Sequence, residues 1–421
     1  MKILILTIGT EGDVRPLVAL GVGLRARGHD VRIATHSMFR AVVEQHGLEF
    51  ANLDGDFREW MSANKLALGR ALKITEMLSA FRKQLRHIAV NWPEQGLAAA
   101  EGVDLIIGNG MVSQLGLALG ERLGIPCVET QLVASFPSYN PPPIPLPAAM
   151  YNLPGPINYG LGWLARISMI GVVQPAYDEH VRPRLGLRPM GRQSPYRTLK
   201  ADHLRLVAVS PSLVQRHVAW PDNIKIVGDW SLRESELWQP PTRLQDFLSD
   251  GESPVYIGFG SMYHVGAVEL TALLHNVLRA LNRRGIIATG WGGLDKTIGH
   301  DAKHTIVIEH APHDWLFERV AMAVHHGGAG TTHAVARAGL PSVVMPVFGD
   351  QPFWASCLRR RGVAPAPIPR EKATFKKLLK AFETALSESM QAKAKDLRNE
   401  IQRQDGVGRA ISVLEAHGLL W

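Results

Sequence analysis

The sequence predicts two α/β domains, each built on a parallel sheet, facing one another across a cleft. Three observations support this fold class. The chain has 421 residues, and at roughly 150 residues per domain that length calls for two or three cores. Short continuous apolar runs alternate with helical patterns, as strands buried on both faces require. The alternation starts afresh near Pro254, after a polar, proline-bearing stretch, Trp220–Gln245, that suits a connection between domains. The expected division is 1–220, a linker at 221–250, a second domain at 251–400, and a final helix at 401–421 that crosses back to the first domain.

Each element follows from its residues. Lys2–Ile8 is a continuous apolar run and reads as the first buried strand. A glycine-bearing turn follows, and Pro16 is expected at a helix start, where its missing N–H costs nothing. Leu17, Leu20, Val22, Leu24 and Ala26 carry that helix to a stop at Gly28. Val31–Ala34, Val103–Ile107 and Cys127–Thr130 read as further strands, with a helix running to Gly124 before the last. From Ser135 to Pro156 prolines recur too densely for helix or central strand. This reads as a long ordered loop, a type that is usually functional, ahead of an apolar helix at Gly162–Val173. In the second series, strands are expected at Val255–Phe259, Ile286–Thr289, Thr305–Glu309, Ala321–Val324 and Ser342–Pro346. A helix is expected at Val268–Leu281, and helices dominate from Pro346 to Trp421.

Composition removes several classes of function. With 46% hydrophobic and 20% charged residues, the chain is neither disordered nor fibrous. Two cysteines, Cys127 and Cys357, rule out a disulfide framework or a cysteine-rich zinc site and fit a reducing compartment. The apolar start, Ile3–Ile8, is too short for a signal peptide. No run reaches the ~18 residues of a spanning helix; the nearest, Tyr159–Tyr177, is broken by Arg166. The expected location is therefore the cytoplasm. Net charge is 46 − 38 = +8, but the basic residues are scattered and no nucleic-acid motif accompanies them. An anionic membrane surface suits this balance better than nucleic acid, and a plain solvated face suits it better than either. Nothing fixes the oligomeric state.

Two glycine-bearing turns invite comparison with nucleotide folds. The first, Gly9-Thr10-Glu11-Gly12-Asp13, fails the dinucleotide fingerprint, and the second strand ends Thr35-His36 without a ribose-binding acid. Glu11 and Asp13 would also repel a pyrophosphate there. The second turn, His325-His326-Gly327-Gly328-Ala329-Gly330-Thr331-Thr332, carries no acid. Its glycines let backbone N–H groups approach an anion at a helix N-terminus, although a tight turn with glycines for packing has the same appearance. Adjacent histidines on a strand point to opposite faces, which argues against a metal site.

Further motifs occur in order: Val255–Ser261, Ala311-Pro312-His313-Asp314-Trp315-Leu316-Phe317, the HHGGAGTT loop and Gly349-Asp350-Gln351. This string resembles the family 1 glycosyltransferases of GT-B fold, and within them the sterol 3-β-glucosyltransferase branch. Gly12-Asp13-Val14-Arg15-Pro16 matches the same branch's first loop. The resemblance implies inverting, metal-independent transfer of a sugar, with UDP-glucose as the expected co-substrate and no cofactor. On this resemblance His325, Gly327, Gly328, Ala329, Gly330 and Thr331 would bind the diphosphate, with Ser261 from the facing loop. Asp350 and Gln351 would hold the sugar hydroxyls, although Asp350 could instead cap the helix that follows it. Pro312 belongs to the donor box. His310 stands where plant relatives stack a tryptophan on the base, and His333 where they place a ribose-binding glutamate. Trp291 and Trp315 are therefore alternative stacking partners, unless they only pack the core.

Many relatives carry a catalytic histidine at the position of Asp13. A carboxylate there can take the acceptor proton in a low-dielectric cleft that raises its pKa, or it can cap a helix starting near Arg15. The stretch matching the relatives' partner aspartate is Ile107-Gly108-Asn109, so no acid–histidine dyad is available. Asp54-Gly55-Asp56 reads as a surface turn rather than a metal–sugar motif. Phe57, Met61, Met77, Phe81, Phe136 and Met150, with the proline-rich loop, are candidates to line an apolar acceptor pocket, or equally to pack a core. The acceptor expected is a sterol-like or other lipophilic alcohol. Alternatives are a macrolide or glycopeptide acceptor with a dTDP- or UDP-sugar, nucleotide-sugar 2-epimerisation on the same fold, and a non-catalytic lipid-binding relative.

Overall fold

The computed structural model describes residues 1–56, 74–144, 146, 150–151, 153–191, 202–234, 238–260, 266–290, 294, 304–347 and 349–421. The first half contains β1 (Lys2–Leu6), α1 (Glu11–Ala26), β2 (Asp30–Thr35), α2 (Arg40–Gln45), β3 (Glu49–Asn52), α3 (Ile74–Ile88) and α4 (Trp92–Ala99). It continues with β4 (Leu105–Asn109), α5 (Ser113–Leu123), β5 (Cys127–Gln131), α6 (Gly155–Ala176), β6 (Arg205–Val207) and β7 (Ile224–Ile226). The second half contains α7 (Thr242–Ser249), β8 (Val255–Gly258), α8 (Ala267–Ala280), β9 (Gly285–Ala288), β10 (Thr305–Ile308), α9 (His313–Leu316) and β11 (Met322–His325). It ends with α10 (Ala329–Ala338), β12 (Ser342–Val344), α11 (Gln351–Arg360), α12 (Phe375–Ala385), α13 (Glu388–Gln402) and α14 (Gly406–Ala416).

Two wholly parallel sheets result, ordered β3-β2-β1-β4-β5-β6-β7 and β10-β9-β8-β11-β12. The central strands are apolar on both faces because helices cover both. Ile5 pairs with Ile33 on one side and Ile107 on the other, and all three are fully buried. In each sheet the strand order reverses beside a central strand, β1 in one and β8 in the other. The loops leaving β1 and β4, or β8 and β11, therefore part and open a crevice at the strands' carboxyl ends.

Three local expectations are corrected. Pro16 lies inside α1 rather than at its start, because the helix begins at Glu11 behind an extended Thr10. The proline leaves the Gly12 carbonyl without its usual donor, and a favourable first turn bearing Glu11 and Asp13 offsets that cost. The short strand β7 falls inside the 221–250 stretch read as linker; only Ile224-Lys225-Ile226 alternates, too brief a signal to separate from a connection. The apolar helix is longer than expected, reaching from Gly155 to Ala176.

The crossing helix is present. Ala410, Ile411 and Leu414 of α14 join the core formed by Val14, Leu17 and Leu24 of α1. A Cβ on Gly23 would overlap Val407, so the two helices meet at a glycine. Polar ties also join the halves: Arg337 to Asp229 (2.7 Å), Ser210 N–H to His333 Nε2 (3.1 Å), and Arg15 to Glu234. Among the described residues no helix is long and apolar enough to cross a membrane.

Candidate active site

The turn after β1 is organised around Asp13. Asp13 is the third residue of α1 rather than its cap, and its Oδ2 accepts from the Thr10 N–H (2.7 Å) and the Thr10 hydroxyl (3.2 Å). This is the returning half of a capping box. Gly9, at φ +137°, is required here, since a Cβ would stand 2.6 Å from Asp13 Cγ. Beneath the turn a buried polar chain runs from Thr130 Oγ1 to Asn109 Oδ1 (3.3 Å), from Asn109 Nδ2 to Thr7 Oγ1 (3.2 Å), and from Thr7 Oγ1 to the Asp13 carbonyl (2.9 Å). Asn109 thus braces the backbone of Asp13 and makes no bond to its carboxylate. Burial raises the Asp13 pKa above its ordinary 3.8, with the Thr10 bonds opposing. Oδ1 takes no part in these bonds.

The turn after β11 has a different construction. His325 is fully buried at the strand end, and its Nδ1 accepts from the Gly327 N–H (3.1 Å). That bond places the ring proton on Nε2, which has no partner among the described residues. Burial, aided by neighbouring His313, pushes the His325 pKa down to about 3, so the ring is neutral. Gly327 consequently offers no free N–H, contrary to its expected part in anion binding. At φ +89° it instead lets the loop run close to Val344 and Gln351, where a Cβ would stand 2.9 Å from the Gln351 carbonyl oxygen. The N–H groups of Ala329, Gly330 and Thr331 in the first turn of α10 have no intrahelical acceptor. They are the loop's available donors.

Asp350 and Gln351 stand opposite, at the start of α11. Asp350 occupies the cap position, but its side chain makes no capping bond; Oδ2 accepts from Trp354 Nε1 (2.7 Å). Burial, with Asp13 as a lesser contributor, raises its pKa from 3.8 to about 6. The carboxylates of Asp13 and Asp350, from opposite halves, are thus near enough for their charges to interact. Gln351 is 4% exposed, and its Oε1 accepts from the Val347 N–H (2.7 Å).

The proline-rich loop crosses to this same place. Tyr151 donates to the Ile144 carbonyl (2.6 Å) and accepts from the Leu146 N–H (3.1 Å), which orders the loop. Burial first, then Asp350, raises the Tyr151 pKa to about 12. Sequence reasoning singled out the loop but missed Tyr151; a hydroxyl among prolines was the available signal.

Other expected residues are placed as follows. Phe136 is 3% exposed, edge-on to Trp220 (5.5 Å) and near Arg166, a core position. Phe81 packs on the core beneath α3, and Met150 is half-buried in the crossing loop. Pro312 caps α9, its carbonyl accepting from Leu316 (2.9 Å). Trp315 packs edge-on against Trp238 (5.1 Å) beneath Arg319, and His310 is exposed beside Arg15 and Glu234. His333 holds Ser210 and the Ala329 carbonyl (2.8 Å), so its position serves interdomain packing. The Asp54 carboxylate accepts from Asn91 and Gln95, tying a surface turn to α4. Phe57, Met61, Ser261 and Trp291, and the side chain of Met77, lie outside the described residues. Among the described residues no group of three or more metal-ligating side chains converges.

Comparison with known proteins agrees with this architecture. Residues 3–138 match the glycosyltransferase family 28 N-terminal domain, and residues 297–406 match the erythromycin biosynthesis protein CIII-like C-terminal domain. The chain is 31% identical to sterol 3-beta-glucosyltransferase UGT80A2 of Arabidopsis thaliana over 99% of its own length, and spans 66% of that protein. It is 32% identical to O-mycaminosyltylonolide 6-deoxyallosyltransferase of Streptomyces fradiae, covering 99% of this chain and 97% of that one. The calicheamicin glycosyltransferase CalG4 shares its fold at a TM-score of 0.70 and 17% identity, over 99% of this chain and 97% of that chain. End-to-end similarity to named glycosyltransferases, on two facing parallel-sheet halves with a returning C-terminal helix, makes this chain a member of the GT-B glycosyltransferase family.

Proposed function

We propose that the chain is an inverting, metal-independent glucosyltransferase that moves glucose from UDP-glucose to a hydroxyl of a sterol-like, lipophilic acceptor. The observation that carries the reading is that Asp13 and Asp350, from opposite halves, are near enough for their charges to interact, while the N-terminus of α10 is free of acids. The diphosphate would lie on the N–H groups of Ala329, Gly330 and Thr331, with His325 Nε2–H as a further donor. Asp350 and Gln351 would fix the sugar hydroxyls. The acceptor oxygen bonds to the anomeric carbon on the face opposite the leaving group, and its proton passes to Asp13. The anomeric C–O bond breaks, and its electron pair stays on the terminal phosphate. A carboxylate with a raised pKa suits that proton transfer.

The second reading is a macrolide-type acceptor with a dTDP-sugar, favoured by the full-length match to the Streptomyces fradiae enzyme. Purified protein would be offered UDP-glucose and dTDP-sugars against a sterol and a macrolide aglycone, with product mass recorded. Sterol glucoside from UDP-glucose supports the first reading; turnover only with dTDP-sugar and macrolide replaces it.

Contact with an anionic bilayer belongs to the same reading. Ile157, Leu164 and Ile167 are 50%, 59% and 51% exposed along one side of α6, and Lys83 is exposed on α3, which packs against α6. Two other basic residues of these helices are otherwise engaged: Arg86 pairs with Glu179 (3.0 Å), and Arg166 turns toward Phe136. Vesicle co-sedimentation should therefore depend on Leu164 and Lys83, and indifference to lipid charge would remove this part.

A further inference from the structure

Arg370 has no part in the site described so far. It follows the segment leaving β12, where Ile368 N–H still bonds to the Val344 carbonyl (3.0 Å). The residue is 6% exposed, and its Cζ lies 3.9 Å from the centroid of the Phe259 ring. Nε, Nη1 and Nη2 are all enclosed, and none has a hydrogen-bond partner among the described residues. Arg205, equally buried, shows the usual arrangement: it pairs with Glu129 at 3.0 Å. A ring face offsets only part of the cost of enclosing a guanidinium, so an unpaired one is a standing demand for an anion.

Its neighbours indicate which anion. Phe259 leads into Gly260, and a Cβ on Gly260 would stand 3.2 Å from His326 Cε1. On its other side the His326 ring abuts Gly328. His326 Nδ1 is enclosed without a partner, as is His325 Nε2. Three enclosed side chains with unmatched nitrogens thus surround the loop that leads into α10. Burial, followed by neighbouring His325 and Arg370, holds the His326 pKa well below its ordinary value. Burial lowers Arg370 itself to about 9, so it stays charged at neutral pH. The fixed positive charge of this wall therefore resides on Arg370, behind neutral imidazoles.

We propose that Arg370 is the built-in counter-charge for the nucleotide diphosphate, a positioning residue that acts across His326 on the donor loop. The proposal rests on the glycosyltransferase reading above. When the anomeric C–O bond breaks, the diphosphate gains one negative charge. A cation enclosed in a low-dielectric wall is little screened and needs no reorganisation to meet that charge.

Calorimetric titration of UDP, UMP and uridine into wild type, Arg370→Met and Arg370→Lys tests this, with melting curves of each protein alone. TDP, TMP and thymidine serve as a second series. The Met variant should lose about 10-fold or more in diphosphate affinity, less for the monophosphate and nothing for the nucleoside. The Lys variant should keep most of the affinity, because the charge is what acts. Without ligand, the Met variant should melt higher than wild type, since an uncompensated charge is gone. Equal losses for nucleoside and diphosphate, or diphosphate binding unchanged in the Met variant, would overturn the proposal and leave Arg370 a packing residue on Phe259. If wild type binds no nucleoside diphosphate at all, the donor-site reading itself falls, a result separate from the other two.

Discussion

The turns after β1 and β11 lie on opposite sides of the strand-order reversal in two similar halves, each running from a buried strand into a helix N-terminus. The first is acidic and internally matched: Asp13 receives the Thr10 N–H, and Thr7, Asn109 and Thr130 form a closed chain beneath it. The second carries no acid from His325 to Thr332, and imidazole nitrogens of His325 and His326 have no partner among the described residues. A helix N-terminus attracts anions in both, but in the first the protein supplies its own carboxylate. On the proposed reading, that leaves a proton acceptor in one half and a phosphate receiver in the other. The contrast lies in side chains, not in backbone architecture.

The sharpest way to break this contrast is Asp13→Asn. Asn Oδ1 can still accept from Thr10, so the turn should persist, while kcat should fall by about 100-fold or more and UDP affinity should stay unchanged. Turnover within a few-fold of wild type would move the base elsewhere. His325→Ala tests the other turn; UDP affinity should fall by about 10-fold, with uridine affected far less. Equal losses would make His325 a purely structural residue. Gly9→Ala should cost about 1–2 kcal/mol in denaturant unfolding, from the strained φ and the crowded Asp13 carboxylate.

The smallest effect concerns Asp350. Its pKa is about 6 in the folded protein against an ordinary 3.8, so the folded state binds the proton more tightly. The stability this provides is fully present below pH 3.8 and is lost as pH rises through about 6. Asp350→Asn removes that loss, so relative to wild type the variant should gain about 2 kcal/mol between pH 4 and 7. A pH-independent difference would show that the raised pKa is not realised.

The sheets were legible because continuous apolar strands bounded by glycine turns have few other solutions, and Ile3–Leu6, Leu105–Ile107 and Val255–Ile257 are of that kind. The turn from β11 into α10 was legible from its glycines, and its lack of acids from the residues themselves. What escaped was long-range. A three-residue strand such as Ile224–Ile226 is specified by its neighbour β6 rather than by its own pattern. The bond that spends the Gly327 N–H on His325 depends on a rotamer that no spacing encodes. Tyr151 packs against the core that holds Phe353 and Trp354 only because the proline loop folds across to it. Phe136, expected at a pocket, is enclosed by Trp220, a partner far away along the chain.

The return of α14 to α1 bears on how the molecule is made. Val14, Leu17 and Leu24 emerge early in synthesis, yet Ala410, Ile411, Leu414 and Leu420 complete their core. The amino-terminal half therefore carries an unfinished apolar face until residues 406–420 have been made. The last turns of helix act as a latch whose closure reports that both halves are in place, which ties the assembly of the cleft to the arrival of residues 406–420.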